Sequence, residues 1–270
     1  MYSKKIASII PVKNRKHLVI EAINSVITQD YPVDEIIVID DGSTDGTFYE
    51  IKRHFSSLPG LKIIKTENLG PGRARNLGVR LSSVDVVMFL DSDDIWLKNH
   101  VHLLLNEIKK GADASFGITE NISLKNKDKF YIPGPEFDHQ KPLFENILSW
   151  CSIVPSSFAI KKQIFLSLNG FEQIRFGEDW CFFIKAAKKI DISFVDKVIT
   201  IRRLHGGNIC QKEFSIKKAL DLLHKILTIA GKFYTEKQLQ TIKRNIKITK
   251  ELEGRCQSVQ EWYLTLTQKI

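Results

Sequence analysis

Residues 84–94 have the sequence Val84-Asp85-Val86-Val87-Met88-Phe89-Leu90-Asp91-Ser92-Asp93-Asp94, and their pattern is the clearest indication of the chain's architecture. The apolar run is typical of a strand that is covered on both faces of a sheet. The acidic cluster follows at the carboxyl end, where open α/β sheets bind their ligands. Clustered carboxylates repel one another unless a cation or donors neutralise them, and Mg²⁺ prefers carboxylate and phosphate oxygens. The segment therefore predicts a metal–phosphate site, with a solvated acidic turn that caps a helix near Trp96 as the alternative.

Strand and helix patterns alternate along the first 110 residues. Apolar strands are predicted at residues 5–12, 35–39, 61–65 and 84–90, with helices ending near residues 28, 55 and 110 and another opening at the glycine-rich turn 68–78. This alternation predicts an α/β fold with a mostly parallel, Rossmann-like sheet and right-handed crossovers. A second strand ends in Asp40 and Asp41. Parallel pairing would bring both acidic strand ends to one edge of the sheet.

The pattern is less regular beyond residue 110. Strands or extended segments are predicted at residues 112–121, 157–160, 192–195 and 198–203, and helices at residues 142–150, 163–168 and 178–189. Residues 125–140 contain lysine, proline and glycine and are predicted to form an exposed loop, either idle or closing over a bound ligand as a lid. From about Lys212 the pattern is helical, with interruptions near Gly231 and Gly254.

The composition is that of a soluble globular protein, with 43% hydrophobic and 26% charged residues in 270. No apolar segment is long enough to span a bilayer. The short apolar run near the N-terminus lacks a small-residue cleavage site and is interpreted as a first strand, not a signal peptide. The cysteines are scattered without metal-ligand spacing, which favours reduced thiols in a cytoplasm. They are Cys151, Cys181, Cys210 and Cys256.

Much of the net charge of +9 lies in the C-terminal 60 residues, which hold 12 Lys/Arg and 6 Asp/Glu. Ile216, Leu220 and Leu223 stand at helical spacing among these lysines. A basic amphipathic tail could lie on an anionic membrane, bind nucleic acid or an acidic partner, cover a substrate or join a homodimer. A solvated helix face is the plain alternative.

The glycine-rich turn of residues 68–78 carries two arginines, Arg73 and Arg75, at a predicted helix start. Backbone N–H groups and guanidinium groups at such a position bind anions. The turn lacks the ending of a P-loop and the glycine spacing of a Rossmann dinucleotide site. Beside two acidic strand ends, it suits a nucleoside diphosphate: one carboxylate accepts from base or ribose, and another holds a cation that bridges the phosphates.

Five segments in order resemble the family-2 glycosyltransferases of the GT-A fold. They are residues 9–15, residues 38–47, residues 68–78, residues 89–94 with the DXD motif Asp91-Ser92-Asp93, and residues 169–171 together with 177–180. The resemblance runs from about Ser3 to Asn208. Each segment alone is common, but five in register are specific.

The resemblance implies a metal-dependent, inverting transfer from a nucleotide-sugar, with UDP-sugars favoured, to a hydroxyl of a glycan or lipid-linked acceptor. Mg²⁺ or Mn²⁺ would lie on the diphosphate, and the product would be a surface polysaccharide or other glycoconjugate. A GT-A catalytic domain is expected at residues 1–210, with a donor half at 1–110 and an acceptor half at 111–210. Residues 211–270 would form a basic helical extension. The expected location is the cytoplasm, with peripheral contact at the inner face of the membrane, and no nucleic acid partner is expected.

The resemblance also implies a set of donor-binding residues. They are Pro11, Val12, Asn14, Arg15, Asp41, Gly42, Arg75, Asp91, Ser92 and Asp93. Of these, Asp41 would bind the base, Asp91 would face the ribose, and Asp93 would ligate the metal. Lys13 stands where many members have a tyrosine, which leaves the choice of base open.

The catalytic assignment rests on Glu178 and Asp179. Asp179 corresponds to the family's general base, with Glu178 orienting it or holding the acceptor. An attacking hydroxyl must lose a proton, which independently requires a carboxylate within reach. Without the resemblance, a helix cap is the more ordinary explanation of Asp179. His205 would complete the metal shell unless it is a plain loop residue.

Three further assignments stay open at this stage. Trp150 and Trp180 either floor a sugar site or belong to the core. Arg202 or Arg203 could pair with the diphosphate. The alternative functions are a sugar-nucleotide pyrophosphorylase, whose glycine-rich signature after the first strand is lacking, and a non-catalytic nucleotide-sugar or nucleic-acid binding module.

Overall fold

The described part of the computed structural model, residues 4–208 and 214–268, contains a mixed sheet flanked by helices. The strands are β1 Ile6–Val12, β2 Glu35–Asp40, β3 Leu61–Lys65, β4 Val86–Phe89, β5 Asp94–Trp96, β6 Ala114–Ser123, β7 Lys129–Ile132, β8 Phe158–Lys161 and β9 Ile192–Leu204. The helices are α1 Leu18–Ile27, α2 Thr47–Phe55, α3 Pro71–Leu81, α4 His100–Lys109, α5 Leu143–Ser149, α6 Lys162–Ser167, α7 Glu178–Lys189, α8 Ile216–Ala230, α9 Glu236–Glu251 and α10 Val259–Gln268. The expected domain boundary between residues 210 and 211 and the thiol of Cys210 lie outside the described residues.

The sheet is parallel in its N-terminal half and mixed beyond it. Its order is β3-β2-β1-β4-β8-β6-β9-β5, with β7 paired to β6. β1 runs parallel to β2 and β4, and β2 runs parallel to β3. Their carboxyl ends, at Val12, Asp40 and Phe89, therefore meet at one edge, as the sequence predicts. β8 runs antiparallel to β4, while β9 runs parallel to β6 and antiparallel to β5.

Hydrophobic clusters cover both faces of this sheet. Ile9 and Ile10 are neighbours in β1 but belong to different clusters, because alternate residues of a strand point to opposite faces. Helices α1 and α4 pack in one cluster, and α3, α7, α8, α9 and α10 contribute to the other. The C-terminal helices thus share a core with α3 and α7, through buried residues such as Leu223 and Trp262. None of the helices in the described ranges combines the length and apolar character that crossing a bilayer requires.

One alternative and one local prediction are wrong. The acidic cluster does not cap a helix near Trp96, because residues 94–96 form β5 and pair with β9. Residues 125–140 are not all loop, because β7 pairs with residues 119–122 of β6. The lysines of that segment are exposed, and Phe130 and Ile132 alternate with them as partly buried residues. A short strand with one polar face carries this alternation over too few residues to stand out from a loop.

Candidate functional site

A cavity of about 410 Å³ opens at the carboxyl edge of β1, β2 and β4. Most of the predicted site residues line it: Pro11, Val12, Asn14, Arg15, Asp41, Arg75, Asp91, Ser92, Asp93, Glu178 and Asp179. Two others lie just outside the lining. Gly42 turns the chain after Asp41 with a φ of 79°, and His205 contacts Asp93. The local fold thus brings residues from distant parts of the sequence to one edge of the sheet.

Arg75 joins the acidic end of β4 to the start of α7. It is buried on α3, where one guanidinium nitrogen donates to Asp91 Oδ1 and the other to Glu178 Oε1, the latter at 2.9 Å. Burial alone would lower the pKa of Arg75, but the charges of Asp91 and Glu178 outweigh it and raise that pKa. The guanidinium also lies 5.4 Å from the ring centre of Phe171. A permanent buried cation therefore lies between the acidic loop after β4 and the start of α7.

The second acidic residue of the DXD motif has a different set of partners. Asp93 Oδ2 lies 3.1 Å from His205 Nε2, 3.1 Å from Asn208 Nδ2 and 3.5 Å from Arg15 Nε. A hydrogen bond with His205 and the charge of Arg15 lower the pKa of Asp93 although burial, the largest single influence, raises it. Asp93 is therefore a carboxylate with His205 beside it. Arg15 is held in turn by a hydrogen bond to the carbonyl of Gly207.

Asp93 and His205 could supply some of the ligands of a divalent cation. Within residues 4–208 and 214–268, no group of three or more His, Cys, Asp and Glu side chains is arranged to hold a metal. The carboxylate of Asp93 and the imidazole of His205 supply an oxygen and a nitrogen at adjacent positions. Mg²⁺ commonly takes one or two protein carboxylates and completes its shell with phosphates and water. The residues present therefore fit a cation that arrives with a phosphorylated substrate.

Asp41 holds the glycine-rich turn in place. It follows β2, and its carboxylate accepts from Thr66 Oγ1 at 3.0 Å and from the backbone N–H groups of Leu69 at 2.6 Å and Gly70 at 2.8 Å. Asp41 is only 6% exposed but still lines the cavity. Its contact with a base stays a prediction. The structure adds a role that the sequence did not indicate, namely fixing the turn that opens α3.

Glu178 and Asp179 form the first turn of α7. The residue at the N-cap is Gly177, with a φ of 76°, so the cap interpretation of Asp179 is wrong. A carboxylate in the first turn of a helix is stabilised by the helix dipole. Burial nevertheless raises the pKa of Asp179, against the lowering effect of Arg75. Burial and the charge of Asp179 likewise raise the pKa of Glu178 to about 7.

Arg202 and Arg203, the two candidates for pairing with the diphosphate, have different surroundings in the structure. Arg203 is 9% exposed, and its guanidinium donates to the carbonyls of Asp93 and Leu18 and to Glu21. It therefore supports the DXD loop. Arg202 lines the cavity and keeps the predicted diphosphate contact as a candidate.

Sequence reasoning missed several residues of the site. Asn208 contacts Asp93 at 3.1 Å, and Leu222, Val259 and Trp262 line the cavity from the C-terminal helices. Amphipathic spacing marks Leu222 and Trp262 as core candidates only, because the pattern cannot indicate which buried face adjoins a cavity. Asn208 follows two glycines after β9, and these glycines indicate only a loop, not a contact with Asp93.

Comparison with known proteins gives a consistent result. A family model described as glycosyl transferase family 2 matches residues 8–167. An uncharacterized glycosyltransferase of Rickettsia felis is 31% identical over 207 residues, which are 77% of this chain and 34% of that protein. The Escherichia coli protein named UDP-Glc:alpha-D-GlcNAc-diphosphoundecaprenol beta-1,3-glucosyltransferase WfgD is 27% identical over 225 residues, which are 81% of this chain and 85% of that protein.

Solved structures show the same fold. S. aureus TarS 1-349 in complex with UDP-GlcNAc has a TM-score of 0.74 at 21% sequence identity, over 93% of this chain and 73% of that chain. This likeness confirms the predicted α/β class and the GT-A fold. The chain spans between 29% and 34% of the length of three Rickettsia relatives that it matches.

Proposed function

The chain belongs to glycosyl transferase family 2, as its motifs predict, and on that premise we propose that it transfers a sugar from a nucleoside diphosphate donor to an acceptor hydroxyl. The observation that carries this proposal is the convergence of Asp91, Asp93 and Asp179 on one cavity. A UDP-sugar is the favoured donor, since the names of the E. coli relative and the S. aureus structure contain UDP-Glc and UDP-GlcNAc. The product would be a surface polysaccharide or another glycoconjugate.

The donor binds along the carboxyl ends of β1, β2 and β4. Pro11, Val12 and Asn14 line the nucleoside end, and Asp91 faces the ribose. Asp93 and His205 would hold a divalent cation, which would supply positive charge to the leaving diphosphate. Arg15 and Arg202 supply further positive charge near the phosphates. Family membership favours sugar transfer over the pyrophosphorylase alternative.

The acceptor side of the reaction belongs to Asp179. Its carboxylate accepts the proton of the acceptor hydroxyl as the hydroxyl oxygen forms a bond to the anomeric carbon. The bond from that carbon to the diphosphate oxygen breaks on the opposite face, and the nucleoside diphosphate leaves with the electron pair. A single displacement of this kind inverts the anomeric configuration. The raised pKa of Asp179, which its burial causes, favours holding the transferred proton.

Arg75 and Glu178 position this base. Glu178 accepts from Arg75, which also binds Asp91, so the donor and acceptor halves share one buried cation. The hydrogen bond that Trp180 N donates to Asp179 Oδ1, at 2.8 Å, fixes one carboxylate oxygen. The other oxygen is available to the acceptor hydroxyl. A fixed separation between base and donor is what direct displacement needs.

The C-terminal helices support a peripheral contact with an anionic membrane at its inner face. Exposed lysines occur along α8 and α9. They are Lys217, Lys218, Lys237, Lys243, Lys247 and Lys250. Basic residues near an anionic surface each contribute on the order of 1 kcal/mol. Co-sedimentation with vesicles of anionic phospholipid at low salt tests this contact, and absence of retention would exclude it.

A donor screen tests the proposed function. Nucleotide release is measured from UDP-, GDP- and dTDP-sugars with Mn²⁺ or with EDTA, for the unmodified protein and for Asp93→Ala. We expect release from at least one donor, loss of release with EDTA, and weak metal-dependent binding in Asp93→Ala. Asp128→Ala is the control, because that carboxylate lies exposed in the turn between β6 and β7. If no nucleotide-sugar is bound or cleaved with any metal, the proposed function is wrong.

A further inference from the structure

Three of the four tryptophans donate their indole N–H to an acceptor inside the protein. The pairs are Trp96 with the Ser156 carbonyl at 2.8 Å, Trp180 with the Ile147 carbonyl at 2.7 Å, and Trp262 with Thr249 Oγ1 at 2.9 Å. Each of these rings is at most 2% exposed. Trp180 therefore belongs to the core by burial and by hydrogen bonding, although an edge of it reaches the cavity.

Trp150 differs from the other three. It follows α5, is partly exposed and lines the cavity. Its indole N–H has no hydrogen-bond partner in the described part of the chain, whereas its ring contacts are extensive. Because Trp150 is partly exposed and lines the cavity, a bound molecule can supply the acceptor that its N–H lacks in the described residues.

Neighbouring aromatic rings fix the orientation of Trp150. Its ring centre lies 5.4 Å from that of Trp180, 5.2 Å from that of Trp262 and 4.7 Å from that of Tyr263. These separations are typical of packed aromatic pairs. Helix α10 supplies two of the three neighbours, so the C-terminal helices build this wall together with α5 and α7. The ring of Trp150 is therefore in contact with aromatic side chains of α7 and α10.

This wall adjoins the proposed general base. Cys151, the next residue in the chain, also lines the cavity. The ring of Trp150 contacts that of Trp180, which directly follows Asp179 in α7, so the wall includes the residue next to that carboxylate. Burial, followed by the charge of Asp179, also raises the pKa of the Cys151 thiol. The donor-binding residues Asp91 and Asp93 line another part of the same cavity. Trp150 thus belongs to the acceptor side.

We propose that Trp150 binds the acceptor, and that the acceptor group next to Asp179 is a pyranose sugar stacked on the indole ring. This inference rests on the proposed function and names its acceptor class. The C–H face of a pyranose packs against the face of an apolar ring, and a saccharide hydroxyl that extends past the ring edge can accept from the in-plane indole N–H. A prenyl or alkyl chain would use the apolar face but has no acceptor atom for this N–H. The indole N–H of Trp150 therefore favours a saccharide as the bound acceptor.

The test measures nucleotide release with the donor that the screen selects. The acceptor probes are the methyl pyranosides of glucose, galactose, N-acetylglucosamine and N-acetylgalactosamine, with 1-hexanol as the apolar probe. The variants are Trp150→Ala, Trp150→Phe and the control Tyr49→Ala, whose ring is 69% exposed and lies outside the cavity lining. UDP affinity and release without an acceptor are measured on the same preparations.

We expect at least one pyranoside to stimulate release, and its KM to rise about tenfold in Trp150→Ala as ring stacking and the hydrogen bond are lost. Trp150→Phe keeps a ring without the N–H, so its KM rises by about threefold. UDP affinity and acceptor-free release of each Trp150 variant are the reference against which its pyranoside KM is read, and Tyr49→Ala matches the unmodified protein in every measurement.

Several results overturn the inference. They are an unchanged pyranoside KM in a Trp150→Ala protein that still binds UDP, and stimulation by 1-hexanol with none by any pyranoside. Donor cleavage that no pyranoside stimulates also overturns it while leaving the proposed function intact. If Trp150→Ala no longer binds UDP, the comparison rests on Trp150→Phe, and an unchanged KM there overturns it as well. Absence of donor cleavage and binding in the unmodified protein would refute the proposed function itself.

Discussion

Replacing Arg75 by methionine removes the cation that joins Asp91 to Glu178 while keeping a side chain of similar length. The Arg75 side chain is 4% exposed, that of Glu178 is 8% exposed and that of Asp91 is 27% exposed. Breaking a buried ion pair by removing one partner costs about 3–5 kcal/mol, because the remaining charge is left without compensation. Most of this cost comes from Glu178, since water can reach part of Asp91. We therefore expect Arg75→Met to lower the free energy of unfolding by about 3 kcal/mol at pH 8.

The penalty depends on pH in a defined direction. Burial raises the pKa of Glu178 to about 7, and Arg75 limits this rise. Without Arg75 the pKa of Glu178 rises further, so the folded variant binds a proton that the unfolded chain releases at a lower pH. Stability of the variant is therefore lost as the pH rises, and the penalty is smaller at pH 5, where Glu178 is protonated in both folded proteins.

Chemical denaturation at pH 5 and pH 8 is the assay. Arg73→Met is the matched control, because Arg73 lies two residues earlier on α3 and is exposed, with Gln173 as its hydrogen-bond partner. It should change the free energy of unfolding by less than about 0.5 kcal/mol. Equal stability of the two variants at pH 8 would refute the reasoning. A penalty for Arg75→Met that is larger at pH 5 than at pH 8 would refute the assignment of the cost to Glu178.

Three further predictions concern neighbouring positions. In the unmodified protein, burial raises the pKa of Glu178 from the ordinary 4.5 to about 7, so the free energy of unfolding should fall as the pH rises between these values. Glu178→Gln should flatten this part of the plot of thermal unfolding temperature against pH. His205→Ala should weaken Mn²⁺-dependent donor binding about tenfold in calorimetric titration and leave binding in EDTA unchanged. Gly177 and Gly254 have the same φ of 76°, so replacing either by alanine causes similar backbone strain. An added Cβ would lie 2.4 Å from a side-chain atom of Leu222 at Gly177, whereas at Gly254 it would meet no atom within 4 Å. Gly177→Ala should therefore be less stable than Gly254→Ala by at least about 1 kcal/mol and should also lose nucleotide release, whereas equal stability would exclude the contact as the cause.

The sequence predicted the strand ends because they are encoded locally. Apolar strands followed by acids gave β2 and β4 and their shared edge, and motif order gave the fold. The ion pairs of Arg75 were not predictable in this way. They join Arg75 to Asp91, which is 16 positions away, and to Glu178, which is 103 positions away, and they depend on side-chain geometry. The glycine-rich turn indicated only that an arginine near it could bind an anion. In the structure, that anion is the protein's own pair of carboxylates.

The acceptor side was less predictable than the donor side for the same reason. The sequence allows the same two interpretations for Trp150 and Trp180, namely the floor of a sugar site or a place in the core. Only their hydrogen bonds and exposure in the structure distinguish a cavity residue from a core residue. The strand β5 was missed because three residues carry no periodicity that distinguishes a strand from a cap. The contribution of α10 to the cavity depends on how the C-terminal helices pack on α5 and α7. Packing of this kind is a tertiary property that a helical pattern does not specify.

Asp179→Asn provides the most direct test of the division between a donor half and an acceptor half. UDP affinity with Mn²⁺ and the rate of nucleotide release are measured on the same preparation of this variant and of the unmodified protein. We expect an unchanged UDP affinity and a rate that is lower by about a hundredfold or more, because the amide cannot take up the proton of the acceptor hydroxyl. An unchanged rate, or a loss of UDP affinity that accounts for the lower rate, would contradict it.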